Sequence, residues 1–458
     1  MTFPVHVSDP ALNDMKCPCC DVSWHDCSSP NETQHQFSVH FNKSEKSDLT
    51  LIVGDQSFFV HKFVLCASSE YFEKSLSGRW KNRRESPNLD EDLMFHPVFD
   101  TFLRSLYNID INLTGENVAP LYQLAGFYLA DNLKSRCIHF MTSHMASNVS
   151  NVVSWLGVTW DDPPLESELW KFILLNFENV MSASQAKYLS LELILKALGS
   201  LELVVENEYS LFRNICKWVD SQEPERGSIP SDEDVIELFS LIRYPLMSSQ
   251  QLMSLESEPI VIKHRQFFTE RIELAKRIRN NEVSAADEVD AVDQPHFVSA
   301  RYYTSDDWSR DFTLANLHLT YASVSSTDTW FSTRGLCSEE DRNEMSSTIR
   351  IEYPQYFDAA EHHVWKKDNR DVTYELECRE GARKVQISFL IFGQQDGVPY
   401  VKKVVDYVTD FEENPIAQFS PFIHLVTREE LYKEGSCFMF SDVCGSLRMR
   451  MVFRPLKD

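Results

Sequence analysis

Five residues near the start of the chain, Cys17, Cys19, Cys20, His25 and Cys27, form one cluster with metal-ligand chemistry. Cys17-x2-Cys20-x4-His25 has the opening spacing of a tetrahedral zinc site, but the last ligand should stand four residues further on, and only one residue separates Cys27 from His25. The pattern fails at the ligand that closes the tetrahedron, so residues 1–32 are expected to be a disordered, Cys-containing tail with no metal. Catalytic signatures are missing as well. The chain has no G-x-S-x-G elbow, no phosphate-cradling G-x-x-x-x-G-K-S/T and no H-E-x-x-H. Its 13 glycines in 458 residues leave little room for a Gly-rich nucleotide loop. His362 and His363 are adjacent and cannot place two ligands on one helical face, which makes them a surface pair. No enzyme activity and no cofactor are expected, and the remaining chemistry is recognition.

The totals narrow the partners. At 458 residues the chain is long enough for two to four domains, and 43% apolar residues are ample for packed cores. With 44 basic and 69 acidic residues the formal charge is -25. That surface repels nucleic-acid phosphates and anionic lipid, so neither is expected as a main ligand. No apolar run reaches the length of a membrane helix, and the opening MTFPVHVSDPALND has no h-region. Eleven cysteines without even pairing fit a reducing compartment. A cytoplasmic protein, with a nuclear pool as a second location, is expected. A secreted glycoprotein using the sequons at Asn31, Asn42, Asn112 and Asn148 is the rival on this point.

Period and punctuation then organise the chain. Leu49-Thr50-Leu51-Ile52-Val53 and Ser57-Phe58-Phe59-Val60 are strand-like runs around a Gly54-Asp55 turn, and a helix opens at His61. This order, with D-x-x-L-x-V and F-x-V-H-K-x-x-L-x-x-x-S-x-Y-F over Asp48–Phe72, resembles the BTB/POZ domain, and the resemblance covers residues 33–145. Pro97–Tyr107 is similar to that family's F-x-x-L/F-L-x-x-L/I-Y helix, although Asn108-Ile109 replaces the usual Thr-Gly, which predicts a reshaped loop. Residues 118–138 resemble its closing helix pair.

Residues 146–280 carry helical periodicity throughout. Leu203-Val204-Val205-Glu206-Asn207-Glu208 and Leu241-Ile242-Arg243-Tyr244-Pro245-Leu246-Met247-Ser248 resemble elements of the BACK domain, which acts in that family as a spacer arm. Residues 281–296 are acidic and read as a solvated linker. After it the period becomes two, as in Leu447, Met449, Met451 and Phe453 between Arg448, Arg450 and Arg454, and in Tyr374, Leu376 and Cys378. Val385–Phe392 is apolar on both faces, as a central strand would be. Residues 297–458 are therefore expected to be an antiparallel sandwich. No repeat of about 50 residues is present, so Kelch blades are not expected. Residues 422–431 are similar to the end of a MATH/TRAF-like sandwich. The expected fold class is multidomain α+β: a BTB/POZ α/β domain, an all-α BACK domain and a C-terminal antiparallel β-sandwich.

The resemblance implies partners and positions. BTB domains self-associate through a two-fold interface holding a charged pair, and Asp48 and Lys62 occupy the matching positions, against the plainer reading that Asp48 caps a strand start and Lys62 faces solvent. The family's cullin-3 surface combines an apolar-x-Glu element with a Tyr in the closing helix pair. The matching residues are Trp80, Asn82 and Tyr128. Trp80 could act as an anchor worth about 2 kcal/mol, whereas Asn82 replaces a carboxylate and should weaken the contact by about 1–2 kcal/mol. The implied function is a homodimeric adaptor that docks cullin-3 and captures an unknown protein substrate for a ubiquitin ligase with its C-terminal sandwich. The alternative is a BTB-BACK interaction scaffold without cullin binding.

Overall fold

Apolar alternation on either side of Gly54 builds the first strand pair, and the tight turn is reached because Gly54 takes φ +55°. The computed structural model describes residues 38–77, 88–89, 91–184, 186–222, 230–280, 299–306, 308–315, 326–332, 344–350, 375–377, 384–410, 416–418, 426, 430, 436–438 and 446–455. The N-terminal cysteine cluster, Trp80, Asn82, the acidic segment 281–296 and His362-His363 lie outside the described residues. The chain divides into two compact units, residues 1–170 and 171–458.

In the first unit β1 (Leu49–Val53) pairs antiparallel with β2 (Gln56–Val60) and parallel with the short β3 (Asn88–Leu89). Leu49, Leu51 and Val53 point inward, as a period of two requires. The helices α1 (Lys62–Ser68), α2 (Glu70–Ser77), α3 (His96–Leu106), α4 (Val118–Phe127), α5 (Asp131–Ser143) and α6 (Val149–Leu156) follow in order, and the division falls within α7 (Pro163–Leu175), whose last five residues belong to the second unit. Phe72, Phe99, Phe102, Leu103 and Leu121 are fully buried and form the centre of the core. The end of α3 closes as a Schellman motif, with Ile109 N–H donating to the Arg104 carbonyl and Asn108 N–H to that of Ser105. Asn108 sits there at φ +52°, a left-handed position that Asn tolerates, so the turn closes without glycine.

The second unit continues with α8 (Phe177–Ser182), α9 (Leu191–Gly199), α10 (Glu208–Asp220), α11 (Asp232–Ser240), α12 (Ser249–Leu255), α13 (Pro259–Lys263) and α14 (Arg265–Arg279). Ser190, Asn207, Ser231 and Ser248 each cap a helix with a side-chain oxygen, and Ser231 and Ser248 do so in full capping boxes. Phe212, Phe239, Tyr244 and Phe268 meet in one aromatic core.

Two residues of the helical part, β4 (Val204–Val205), pair in parallel with β5 (Tyr302–Tyr303), which leads into the C-terminal strands. These are β6 (Ser309–Ala315), β7 (Ser326–Ser332), β8 (Glu344–Arg350), β9 (Glu375–Glu377), β10 (Lys384–Gln395), β11 (Val398–Asp410), β12 (Ile416–Gln418) and β13 (Ser446–Pro455). Four of them form an antiparallel sheet in the order β11-β10-β13-β6, with β7-β8 and β9-β12 as two further antiparallel pairs.

The two-sided apolar character of β10 has a specific cause. On one face Ile387, Phe389 and Ile391 are buried alongside Leu447, Met449 and Met451. On the other, Leu390, Val401 and Val452 pack with Leu175, Val204 and Tyr302, which belong to the helical part and its strap. The helices thus supply the cover for the sheet's second apolar face.

The outer margin of β11 is capped at one residue. Asn176 accepts the Val401 N–H at 2.8 Å through Oδ1 and donates to the Val401 carbonyl at 3.2 Å through Nδ2, so one amide stands in for a neighbouring strand. At the next residue the register of β10 against β11 shifts, leaving Lys402 as a bulge. Side-chain pairing and a bulge are both ways of withdrawing a strand edge from foreign pairing.

Candidate protein-interaction surface

Tyr128 closes α4 and is the hub of an aromatic cluster. Its ring stacks on Phe72 with centroids 5.0 Å apart and lies 5.0 Å from Phe102 and from Tyr71. Its carbonyl accepts from Ser69 Oγ at 2.5 Å, and its hydroxyl donates to Glu91. Burial, and then the Glu91 carboxylate, push the phenol well above its usual range, so it stays a donor. With 0% exposure Tyr128 offers a partner no surface of its own. It positions residues that do.

Those residues are its neighbours. Phe127 is 61% and Leu129 43% exposed, and the chain tethered through Glu91 carries Leu93 at 82%. The turn is a second Schellman motif, with Ala130 N–H donating to the Ala125 carbonyl at 2.8 Å and Leu129 N–H to that of Gly126. Leu129 occupies the position that glycine ordinarily takes, at φ +50°. An L-residue there costs about 1–2 kcal/mol. The strain holds an apolar side chain out in solvent, and such outliers point toward function.

Asp48 and Lys62 are brought together through the backbone. The Asp48 carboxylate accepts the Lys62 N–H at 2.8 Å, satisfying an orphan donor at the start of α1. Phe63, the next residue, is more than half exposed and gives that end of the domain an apolar patch. His61 is buried and bonds the Tyr107 hydroxyl through both its N–H, at 2.7 Å, and Nδ1, at 2.9 Å, tying α1 to the end of α3.

The second unit contains a buried ionic clamp that sequence reasoning missed. Arg301 and Glu208 are both fully buried and meet at 2.8 Å. Arg301 also donates to the carbonyls of Leu198, Ser200 and Leu241, at 2.5, 3.1 and 2.9 Å, where α9 and α11 end. A cation among terminal carbonyls answers both orphan acceptors and helix dipoles. Glu208 further accepts from the Tyr303 hydroxyl at 2.6 Å and the Arg243 N–H at 3.0 Å. Burial alone would raise the Glu208 carboxyl, but Arg301 and Arg243 outweigh it and hold the group below its usual range. Burial pushes Arg243 down to about 10. The available signal was Arg301 itself, a cation inside the apolar run Val298–Tyr303.

Glu178 is a less well-served acid. It accepts from Glu206 N–H at 2.9 Å and Ser210 Oγ at 3.2 Å, yet burial raises its carboxyl above the usual range. A raised acid favours folding below its unfolded pKa, and that contribution is lost as pH rises through the folded value. Glu178→Gln keeps an acceptor and removes the charge. It is expected to raise the thermal midpoint at pH 7 and to converge with the parent near pH 4. A difference that stays constant over this range would contradict the assignment.

Burial pushes Cys137 and Cys216 up to about 12. Among the described residues no helix is long and apolar enough to cross a membrane.

Three family models match separate stretches of the chain. The BTB/POZ domain family model matches residues 37–145, the BACK family model (BTB And C-terminal Kelch) residues 157–256, and the BTBD17 TRAF domain model residues 298–457. BTB/POZ domain-containing protein 17 of Xenopus laevis is 28% identical over 238 residues, which cover 50% of this chain and 48% of the relative. Kelch-like protein 41b of Danio rerio is 25% identical over 238 residues, covering 51% of this chain and 38% of its own. The chain thus spans about half or less of the length of these curated relatives. The solved BTB domain of zebrafish PATZ1 is 29% identical, covers 23% of this chain and 85% of that one, and superposes with a TM-score of 0.20.

Proposed function

We propose that this chain, a BTB-BACK protein with a C-terminal TRAF/MATH-like domain, is a homodimeric adaptor that docks cullin-3 through its BTB domain and presents a protein substrate on its C-terminal domain for ubiquitination. The supporting observation is the turn after α4, where a strained Leu129 and an exposed Phe127 stand on the buried Tyr128 platform. Apolar anchors on a rigid support are what an interface hot spot needs. Trp80 and Asn82 remain assigned to the same docking role, and Tyr128 takes part in it as the support of Phe127 and Leu129. Asp48 and Lys62 are assigned to the dimer interface, beside exposed Phe63. Two C-terminal domains per dimer would add avidity to weak substrate contacts. The adaptor supplies proximity, and the ubiquitin chemistry belongs to its partners.

Calorimetry of the full chain against the N-terminal part of cullin-3 tests this. Submicromolar binding is expected, and Phe127→Ala should weaken it about 30-fold, equivalent to about 2 kcal/mol. Leu129→Gly should relax the turn, raise stability by about 1 kcal/mol and still lower affinity. No binding by a folded, dimeric chain would refute the ligase reading and leave the scaffold.

A further inference from the structure

Residues 299–304 run between the helices and the C-terminal sheet and bond to both. Their backbone lies along β4, with the N–H groups of Tyr302, Thr304 and Ser305 donating to the carbonyls of Leu203, Val205 and Glu206 at 3.3, 2.9 and 3.0 Å. The side chains and the remaining carbonyls then alternate, as a strand's period of two requires. Toward the helices, the Ser299 carbonyl accepts from Arg243 at 2.5 Å, Arg301 fills the ionic clamp, and the Tyr303 hydroxyl donates to Glu208 at 2.6 Å. Toward the sheet, the Ala300 and Thr304 carbonyls accept from Arg454 and Arg450 at 3.1 and 2.9 Å. On that side the Tyr302 hydroxyl donates to Asp406 at 2.8 Å, and the Arg454 guanidinium lies 4.7 Å from the centre of its ring.

This is how a peptide sits when it adds a strand to a receptor: main-chain bonds supply affinity, and alternate side chains entering fitted sites supply specificity. Arg301, Tyr302 and Tyr303 are each buried. The fitted site for Arg301 is built wholly from the helical part, by the Glu208 carboxylate and the carbonyls of Leu198, Ser200 and Leu241. The same two parts meet again where the Asn176 amide pairs with Val401 and where Leu175 and Val204 pack with Leu390 and Val452. None of these contacts runs through residues 281–296.

We propose that the helical part is a receptor for residues 299–304, and that this docking, not the intervening peptide, holds the C-terminal domain on its arm. A chain severed within residues 281–296 stays one particle, so proteolysis there does not shed the domain. Arm and domain move as one body whichever partner the BTB domain takes. Severing the link forfeits an effective concentration in the millimolar range, and a buried charged network flanked by apolar contact holds without it.

The full chain with a site-specific protease sequence in place of residues 283–289 tests this. It is cut after folding, the cut is confirmed on a denaturing gel, and sedimentation is followed over a dilution series. A dissociation constant below about 1 µM is expected between the two pieces. Two neighbouring hydroxyls supply the internal comparison, because residues 299–304 stay with the C-terminal piece. Tyr303→Phe removes a bond that crosses the cut protein's interface to the buried Glu208 carboxylate, and should raise the constant at least about tenfold. Tyr302→Phe keeps the ring and removes a bond internal to the C-terminal piece, and should leave the constant close to that of the parent. Separation of the parent pieces at micromolar concentration, or the same constant for the two variants, would overturn the proposal.

Discussion

Arg301→Met is expected to lower the stability of the second unit by about 3–5 kcal/mol, the usual cost of stripping one partner from a buried ion pair. The reason lies in what Arg301 leaves behind. Glu208 would remain fully buried with its main counter-charge gone, and the carbonyls of Leu198, Ser200 and Leu241 would each lose a donor. Differential scanning calorimetry should show the transition of the second unit moving down while that of the first stays in place. Adding Glu208→Gln should recover part of the loss, because an amide needs no counter-charge, its oxygen still accepts the Arg243 N–H, and its NH2 can donate to the Tyr303 hydroxyl once that hydroxyl turns. The parent should also weaken in acid. A depressed carboxyl stabilises the fold above its unfolded pKa, and that stabilisation is lost as pH falls through the folded value. A cost below about 1 kcal/mol for Arg301→Met, within the range of exposed ion pairs, would show that the clamp does not hold this unit together.

Tyr128→Ala is the second large effect. Removing a fully buried ring from the centre of six aromatic side chains should cost the first unit about 3–5 kcal/mol, and the Glu91 tether is lost with it. Phe127→Ala removes a neighbouring ring that is mostly in water, and should leave stability within about 0.5 kcal/mol of the parent. If the chain is the cullin-3 adaptor proposed above, both variants should lose that affinity, one through the platform and the other through the contact. Chemical denaturation beside calorimetry separates the two. Equal stability losses in both variants would contradict the division of labour between support and contact.

Much of this architecture was legible in local pattern. The β1–β2 hairpin, the helical stretches from Val149 to Val219, and the alternation over β13 follow from periods of 2 and 3.6 that a single sequence displays. The site was less legible. The family resemblance puts Tyr128 on the contact surface, and only the left-handed Leu129 turn shows that the ring goes inward and its neighbours outward. Arg301 stands beside an acidic stretch and finds its acid 93 residues earlier, a separation at which periodicity carries no information. The two-sided apolar character of β10 reads as the mark of a central strand, and β10 does lie between β11 and β13, but the sequence does not say that Leu175, Val204 and Tyr302 cover its second face. Local physics sets which side chains want burial, but their partners are chosen by the tertiary fold.

The Asn176 amide on Val401 bears on how this protein can be divided and recombined. Cut away from its helices, the C-terminal domain would carry a bare strand margin and an oily strip formed by Leu390, Val401 and Val452, a combination that invites sheet-to-sheet aggregation. It is not a portable module. A chimera that borrows this domain has to borrow residues 171–280 as well, and changes made to the sheet should leave its helix-facing side untouched.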